Sequence, residues 1–308
     1  MALLLTMVLA IACGSGTNPS QPAAQTSPNT HAVEHAMGTT LVPNQPSRVV
    51  VLDTAPLDAA IALGITPVGA RVHRKFPDYL EEHTGSIVNV SASGQPSLEA
   101  IIKLHPDLIL SNKVSSAKVY PLLSQIAPTV LAEDTGRIGD WPKQLRLYGE
   151  ALGRGDIVEE ILADYQGQLR DLRQRFEIAN KTISVVFAWQ HYVGFYSDTS
   201  FPGSVLSGMG FQRPLIQTQS TLAPHLSIVS KETFQDLDGD VIFLMLDEDD
   251  VLTYDSFMQD PLFSRLSAVR NKQVYPVQSA VWAGGRNILA AQQILQDVTE
   301  ALMNGSTG

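Results

Sequence analysis

The stretch from Ser97 to Leu110 is written a second time from Ser230 to Phe243, and this repeat constrains the fold more than any other feature of the chain. In register, Ser97 meets Ser230, Glu99 meets Glu232, Leu104 meets Leu237, Asp107 meets Asp240 and Ile109 meets Ile242. Apolar residues pair elsewhere (Ile101 with Phe234, Leu108 with Val241, Leu110 with Phe243), and a breaker faces a breaker at Pro106 and Gly239. Each copy reads as a serine helix start, a short amphipathic helix, a break and an apolar strand. Repetition over this distance predicts two similar α/β lobes, each offering one glutamate in the same local setting. A carboxylate in the first turn after a serine cap suits the helix dipole, which accounts for either glutamate alone. The matched pair points further, to a two-point contact.

Alternation along the rest of the chain agrees with this division. Strands are expected at Arg48–Asp53, Thr66–Arg71, Asp107–Ser111, Thr129–Ala132, Thr182–Ala188, Val241–Leu246 and Gln273–Val277. Helices are expected at Pro56–Leu63, around Ala117–Gln125, near Gly203–Ser207 and from Arg286 to Met303. Short apolar strands alternating with helices predict parallel α/β construction. Between the two copies of the repeat, Val158, Ile161, Leu162, Tyr165, Leu169, Leu172 and Phe176 recur at three- and four-residue steps, behind a capping-box-like Asp156 and Glu159. This predicts the longest helix of the chain, spanning 154–179 and bridging an N-terminal lobe (35–153) to a C-terminal lobe (180–308).

At 308 residues the chain is long enough for two lobes with ordinary cores. A formal net charge of −10 argues against a nucleic-acid partner, because phosphate binding rests on a basic surface. Cys13 is the lone cysteine, which excludes an intrachain disulfide and a cysteine-based metal site. It follows a nearly unbroken apolar run from Met1 to Ala12 and is flanked by the small residues Ala10, Ala12 and Gly14. That segment resembles a bacterial lipoprotein signal, which implies removal of residues 1–12 and acylation of Cys13; an ordinary signal peptide is the alternative. Residues 13–34, rich in Ser, Pro, Gln and Thr, read as a flexible tether. No later run is apolar enough to span a bilayer, so membrane contact is expected through the lipid anchor only, with the body in the periplasm or at the cell surface.

The order of short motifs along the chain resembles one family, the substrate-binding proteins of bacterial ABC importers for iron–siderophores, haem and cobalamin. The resemblance runs from His35 to Leu302 and is carried by Pro46–Leu52, Leu63–Gly69, Pro96–Ile101 with Pro106–Ile109, Ile126–Val130, Phe201–Leu206, Asp240–Phe243, Asp260–Phe263 and Ala268–Tyr275. It implies two Rossmann-like lobes bridged by one rigid helix, a ligand cleft between the lobes and little domain closure. It also implies that Glu99 and Glu232 dock onto arginines of an ABC permease with two related subunits, driven by its ATPase. No cofactor is expected, and the metal is expected to arrive already chelated, as a Fe(III)–siderophore complex. The protein is expected to be a monomer and not an enzyme.

Open α/β sheets bind ligands beyond the carboxyl ends of their strands. That rule nominates Thr54, Arg71 with Arg74 and Lys75, Asn112 with Lys113, Trp189 with His191 and Tyr192, and Trp282 with Arg286. A planar guanidinium grips carboxylates bidentately, and aromatic side chains supply rigid apolar walls. The glycines at 284 and 285 allow close approach of the backbone to a ligand. Ser91–Gly94 stands where hydroxamate-binding relatives can carry an arginine, which moves weight toward a ligand with carboxylates. Haem or cobalamin is the rival within transport, with His191, Tyr192 and Tyr196 as candidate haem contacts. A surface-anchored α/β hydrolase is the rival from another class, but no G-x-S-x-G elbow, P-loop or complete dinucleotide fingerprint is present. His31 and His35 read as scattered surface histidines at the edge of the tether, and Asp247–Asp250 as a solvated acidic loop.

Overall fold

The computed structural model describes residues 29–72, 76–135, 139–176, 178–189, 192–218, 226–246 and 253–305. A hairpin of β1 (Thr30–His35) and β2 (Gly38–Pro43) leads into the first lobe. Its sheet contains β3 (Val49–Val51), β4 (Gly69–Ala70), β5 (Val88–Asn89) and, after a small hairpin of β6 (Ser91–Ala92) and β7 (Gln95–Pro96), β8 (Leu108–Asn112) and β9 (Thr129–Ala132). The order β5-β4-β3-β8-β9 is parallel throughout. The second lobe contains β10 (Ile183–Trp189), β11 (Tyr192–Tyr196), β12 (Leu226–Val229), β13 (Val241–Leu246) and β14 (Val274–Gln278), in the order β12-β11-β10-β13-β14. Here only β10, β13 and β14 are parallel, and β11 runs antiparallel to both neighbours.

The repeat explains the layering. Successive side chains on a strand point to opposite faces of the sheet. On β8, Leu108 and Leu110 enter a large core shared by both lobes, while Ile109 enters an outer core with Ile101, Leu123 and Val50. On β13 the matching residues do the same: Val241 and Phe243 join the shared core, and Ile242 joins an outer core with Phe234, Phe263 and Leu237. Each strand is buried on both faces, which is why it reads as a continuous apolar run. The helical segments before these strands differ. Ser97 accepts a hydrogen bond from Ala100 N (3.3 Å) and starts the α-helix Leu98–Lys103. The second copy forms a 3₁₀ stretch, Lys231–Leu237, with non-helical dihedrals at Thr233.

The bridging helix spans Gly155–Arg175. Its first half packs on the first lobe's helix Trp141–Ala151, where Tyr165 meets Trp141 edge-on at 5.2 Å and Arg146 grips Glu159 through two nitrogens (2.7 and 3.1 Å). Its second half packs on the second lobe's helix Phe201–Met209, where Arg173 donates to the carbonyls of Gly208 and Met209. A cation there complements the negative end of that helix. The bridge stops before Ile178, short of the expected end, because Phe176 turns to extended dihedrals (φ −123°, ψ 141°) and packs against the shared core.

Two further expectations need correction. The tether does not reach residue 34: Thr30–Glu34 pairs with β2, and Val33 and Val42 are fully buried, so the hairpin has an apolar face to hide. His31 and His35 therefore belong to structured backbone. His31 bonds Asn44 Oδ1 and the Glu150 carbonyl, and His35 bonds Thr40 Oγ1. Residues 1–28, including the signal segment, Cys13 and most of the tether, lie outside the described residues. Among the described residues no helix is long and apolar enough to cross a membrane.

The lobes are also fastened by polar groups. Asp58, fully buried on the first lobe's helix Thr54–Ala62, accepts hydrogen bonds from Leu289 N (2.9 Å) and Ala290 N (3.1 Å) at the start of the C-terminal helix Ile288–Gly305. With one continuous helix crossing between the lobes and a shared core beneath it, no loop among the described residues is placed to absorb a large rotation. Small-angle scattering profiles of free and ligand-saturated protein are expected to superimpose; a clear drop in radius of gyration on loading would contradict this architecture.

Candidate functional site

In the first lobe the strand order reverses direction between β3 and β8, the place where open α/β sheets form a crevice. Asp53 follows β3 there. Its Oδ1 accepts from Thr54 N (2.8 Å), capping the helix Thr54–Ala62, and its Oδ2 accepts from Ser115 Oγ (3.1 Å) in the turn after β8. Two arginines converge on the same carboxylate. Arg71, beyond β4, places Nη2 3.7 Å from Oδ2, and Arg286, from the second lobe, places Nη1 3.4 Å from Oδ1. The three side chains are 7–12% exposed, so these charges meet at a largely dehydrated seam. Two guanidiniums, one from each lobe, thus face one carboxylate.

Local sequence holds each arginine in place. Arg71 also donates from Nε to the Leu52 carbonyl (2.9 Å) and from Nη1 to the Gly94 carbonyl (3.2 Å). The Gly94 oxygen is delivered by a two-residue hairpin turn in which Ser93 (φ 50°) and Gly94 (φ 77°) are both left-handed. Arg286 follows Gly284 and Gly285. A Cβ at position 285 would lie 2.3 Å from both Ala290 Cβ and the Val281 carbonyl, so this loop admits no side chain there. Gly284 lines a hollow of about 350 Å³ with Tyr196, Phe201, Pro202, Leu226, Ser279, Ala280 and Ala283. An apolar, aromatic wall thus begins two residues before the Arg286 guanidinium.

At the end of the second lobe's sheet, Trp189 and Tyr192 face each other across β10 and β11 and are 55% and 50% exposed. Large aromatics this open at a strand end are available to a ligand. A larger hollow, about 470 Å³, opens elsewhere between the lobes, but Asp78, Asp297 and Glu300 in its lining make it a poor host for an anion.

The structure brings Thr54, Arg71 and Arg286 together around Asp53, and corrects two nominations. Trp282 does not line a cleft: it is fully buried, tilts over Phe243 at 4.6 Å between ring centroids and donates Nε1–H to Asp297 (2.7 Å). The two glycines after it open the chain for Arg286 alone. Asn112 is also fully buried, its Oδ1 accepting from Ser115 N (2.8 Å) to cap the turn that delivers Ser115 to Asp53. Lys113 pairs with Glu133 at the surface (2.7 Å). Arg74, Lys75, His191 and Asp247–Asp250 lie outside the described residues. The sequence reading passed over Asp53, although a carboxylate directly after a four-residue apolar run was visible. Among the described residues no group of three or more His, Cys, Asp or Glu side chains gathers to hold a metal.

Glu99 and Glu232 stand away from this site, on the outer layer of each lobe and exposed. Glu99 pairs with Lys103 one turn on (2.7 Å). For Glu232, its own backbone N–H and the Ser230 side chain hold the carboxyl below the usual carboxylate range.

Comparison with known proteins matches residues 49–281 to the periplasmic binding protein family. The chain is 36% identical over 310 residues to the probable siderophore-binding lipoprotein YfiY of Bacillus subtilis (strain 168), covering 96% of this chain and 94% of that one. It is 31% identical over 264 residues to the achromobactin-binding periplasmic protein of Dickeya dadantii (strain 3937), covering 82% and 85%. Among solved structures, Staphylococcus aureus SirA complexed with staphyloferrin B superimposes with a TM-score of 0.77 at 28% identity, covering 89% of this chain and 99% of that one.

The carboxylate between the two arginines supports a stability test. Asp53→Asn removes the charge that Arg71 and Arg286 share and is expected to lower unfolding free energy by about 1.5–3 kcal/mol, the scale of hydrogen bonds to charged groups. Chemical denaturation measures this, and an unchanged midpoint would show that the cluster contributes nothing to the fold.

Proposed function

The chain belongs to the periplasmic binding protein family, and on that premise we propose that it captures a carboxylate-bearing ferric siderophore outside the cytoplasm and delivers it to an ABC permease. The observation that carries this reading is the pair of guanidiniums, one from each lobe, around the single carboxylate of Asp53. Guanidiniums are suited to gripping the carboxylates of an anionic ferric complex, and low hydration strengthens such contacts. Trp189, Tyr192 and Tyr196 supply flat apolar surface for the organic part of the chelate. The relatives named for siderophores and the neighbour crystallised with staphyloferrin B support the same ligand class. In this reading the protein binds and releases its cargo without converting it, needs no cofactor, and works as a monomer.

Residue Cys13 would carry the lipid that holds the protein at the membrane, and the Ser- and Pro-rich residues after it would let the body reach its partner. Glu99 and Glu232 would dock onto basic patches of two related permease subunits, with an ATPase driving transport.

Of the three tryptophans, Trp141 and Trp282 are buried and Trp189 is exposed, so quenching by direct ligand contact reports on the strand-end site. Titration with ferric citrate, a ferric hydroxamate, haem and cobalamin is expected to show saturable quenching by the carboxylate chelate. Arg286→Ala is expected to weaken that binding by about 1.5–3 kcal/mol. Binding of haem alone, seen as a shifted Soret band, would overturn the ligand class.

Docking is tested separately. Exposed charges act mainly on encounter and register, and their effect fades with salt. Glu99→Ala combined with Glu232→Ala is expected to abolish or sharply reduce uptake while siderophore affinity stays at the parent value and the melting temperature within a few degrees of it. Normal uptake with slightly lower stability would leave both glutamates as helix-start residues only.

A further inference from the structure

We propose that Asp58 is the positioning residue for Arg286: a buried carboxylate of the first lobe that caps the C-terminal helix of the second and thereby fixes where the arginine before that helix stands. The inference deepens the functional reading above and rests on its assignment of Arg286 to the ligand site.

Helix starts leave N–H groups without partners, and normally the residue before the helix satisfies the second or third of them. Here that task is divided. Asn287 precedes the helix Ile288–Gly305, and its Oδ1 accepts from the first helical N–H, Ile288 (2.9 Å). The next two, Leu289 and Ala290, donate across the lobe boundary to the two oxygens of Asp58 (2.9 and 3.1 Å). A third donor, Tyr79 Oη, reaches Asp58 Oδ2 (3.0 Å) from another segment of the first lobe. Asp58 is 0% exposed. Burial pushes its pKa up to about 7, against the pull of the two backbone N–H groups and the tyrosine. Three donors converge on this carboxylate, an arrangement that suits its ionised form.

Position explains the consequence. Asp53 and Asp58 lie at the start and the middle of one helix, Thr54–Ala62. The first holds the Arg286 side chain and the second holds the backbone three residues later, so one rigid helix grips residues 286–290 at two points. Glycines at 284 and 285 give the chain before Arg286 little stiffness of its own. Without the Asp58 contact, the Arg286 segment would lose its backbone tie to the first lobe's helix, and part of the cost of ordering the guanidinium against that lobe would be charged against ligand binding.

The test is a double-mutant cycle with full-length purified protein, using ferric citrate as the probe and hydrogen exchange as a ligand-free readout. Asp58→Asn keeps the volume but sets an NH2 group against a backbone N–H. It is expected to raise exchange at Leu289 and Ala290, and to weaken ferric citrate binding about tenfold, equivalent to about 1.4 kcal/mol. In an Arg286→Ala background the same substitution is expected to change affinity less than about twofold. Equal losses in both backgrounds, or unchanged exchange at Leu289 and Ala290, would overturn the proposal. If Asp58→Asn does not fold, Tyr79→Phe takes its place: it removes one donor, and its smaller affinity loss must likewise vanish when Arg286 is absent. A parent protein that ignores ferric citrate would count against the ligand class, and the exchange measurement would still decide the role of Asp58.

Discussion

A single apolar core runs through both lobes, and the rest of the molecule depends on it. Val49, Val51, Leu108 and Leu110 from the first sheet and Ile183, Val185, Val241 and Phe243 from the second belong to the same buried cluster. Between them lie the helices Thr54–Ala62, Trp141–Ala151, Gly155–Arg175, Phe201–Met209 and Ile288–Gly305, whose buried faces fill that layer. Opening the lobes would expose this surface to water, at roughly 25 cal/mol per Å² of apolar area. The bridging helix is therefore one fastener among several, and the resistance to rotation comes mainly from what lies beneath it.

A stiff frame changes the energetics of a site placed on its seam. Arg71 and Arg286 belong to different lobes yet meet on one carboxylate at 3.7 and 3.4 Å, a geometry that requires the lobes to keep their spacing. Groups held this way would be ordered before the proposed ligand arrives, which would lower the entropy lost on binding. The cost is borne in folding, where charges are brought to a largely dry position. Asp53 reduces that cost by balancing one of the two positive charges and capping a helix with the same side chain.

Much of the fold was legible in the sequence, because the repeat encodes which face of each strand meets which core. Leu108 pairs with Val241 and Ile109 with Ile242 in the alignment, and each pair occupies equivalent cores in space. What escaped was weakly patterned. The hairpin Thr30–Pro43 hides behind polar residues, with Val33 and Val42 among its few fully buried side chains. The antiparallel strand Leu226–Val229 is short and only partly buried, and Tyr192–Tyr196, though buried at its middle three residues, is interrupted by Gly194, so neither shows the continuous apolar run of its neighbours. At the site, charge was readable and aromatic burial was not. Arg71 and Arg286 stand where the strand-end rule puts them, whereas Trp282 carries the same local signature and belongs to the core, because a partner for its indole N–H comes from Asp297, far along the chain. Asp58 gave no sequence signal at all: one carboxylate inside an apolar helix shows its purpose only when the helix start it caps is seen beside it.

The repeat matches the two lobes along the strands it encodes, while the residues at their strand ends differ. On the outer layers the repeat still presents Glu99 and Glu232 at equivalent points, each exposed and each next to a lysine-bearing turn. At the strand ends the first lobe offers Asp53 and Arg71, and the second offers the exposed Trp189 and Tyr192, with Arg286 following its glycine loop to the seam. A partner with two equivalent halves, as proposed above, would constrain both outer faces in the same way and keep their residues matched. A chelate of the proposed class has a charged rim and an organic frame, and it would constrain the two inner faces differently. Each wall can then carry one guanidinium and the second its aromatic side chains as well, provided the core between them keeps the distance fixed.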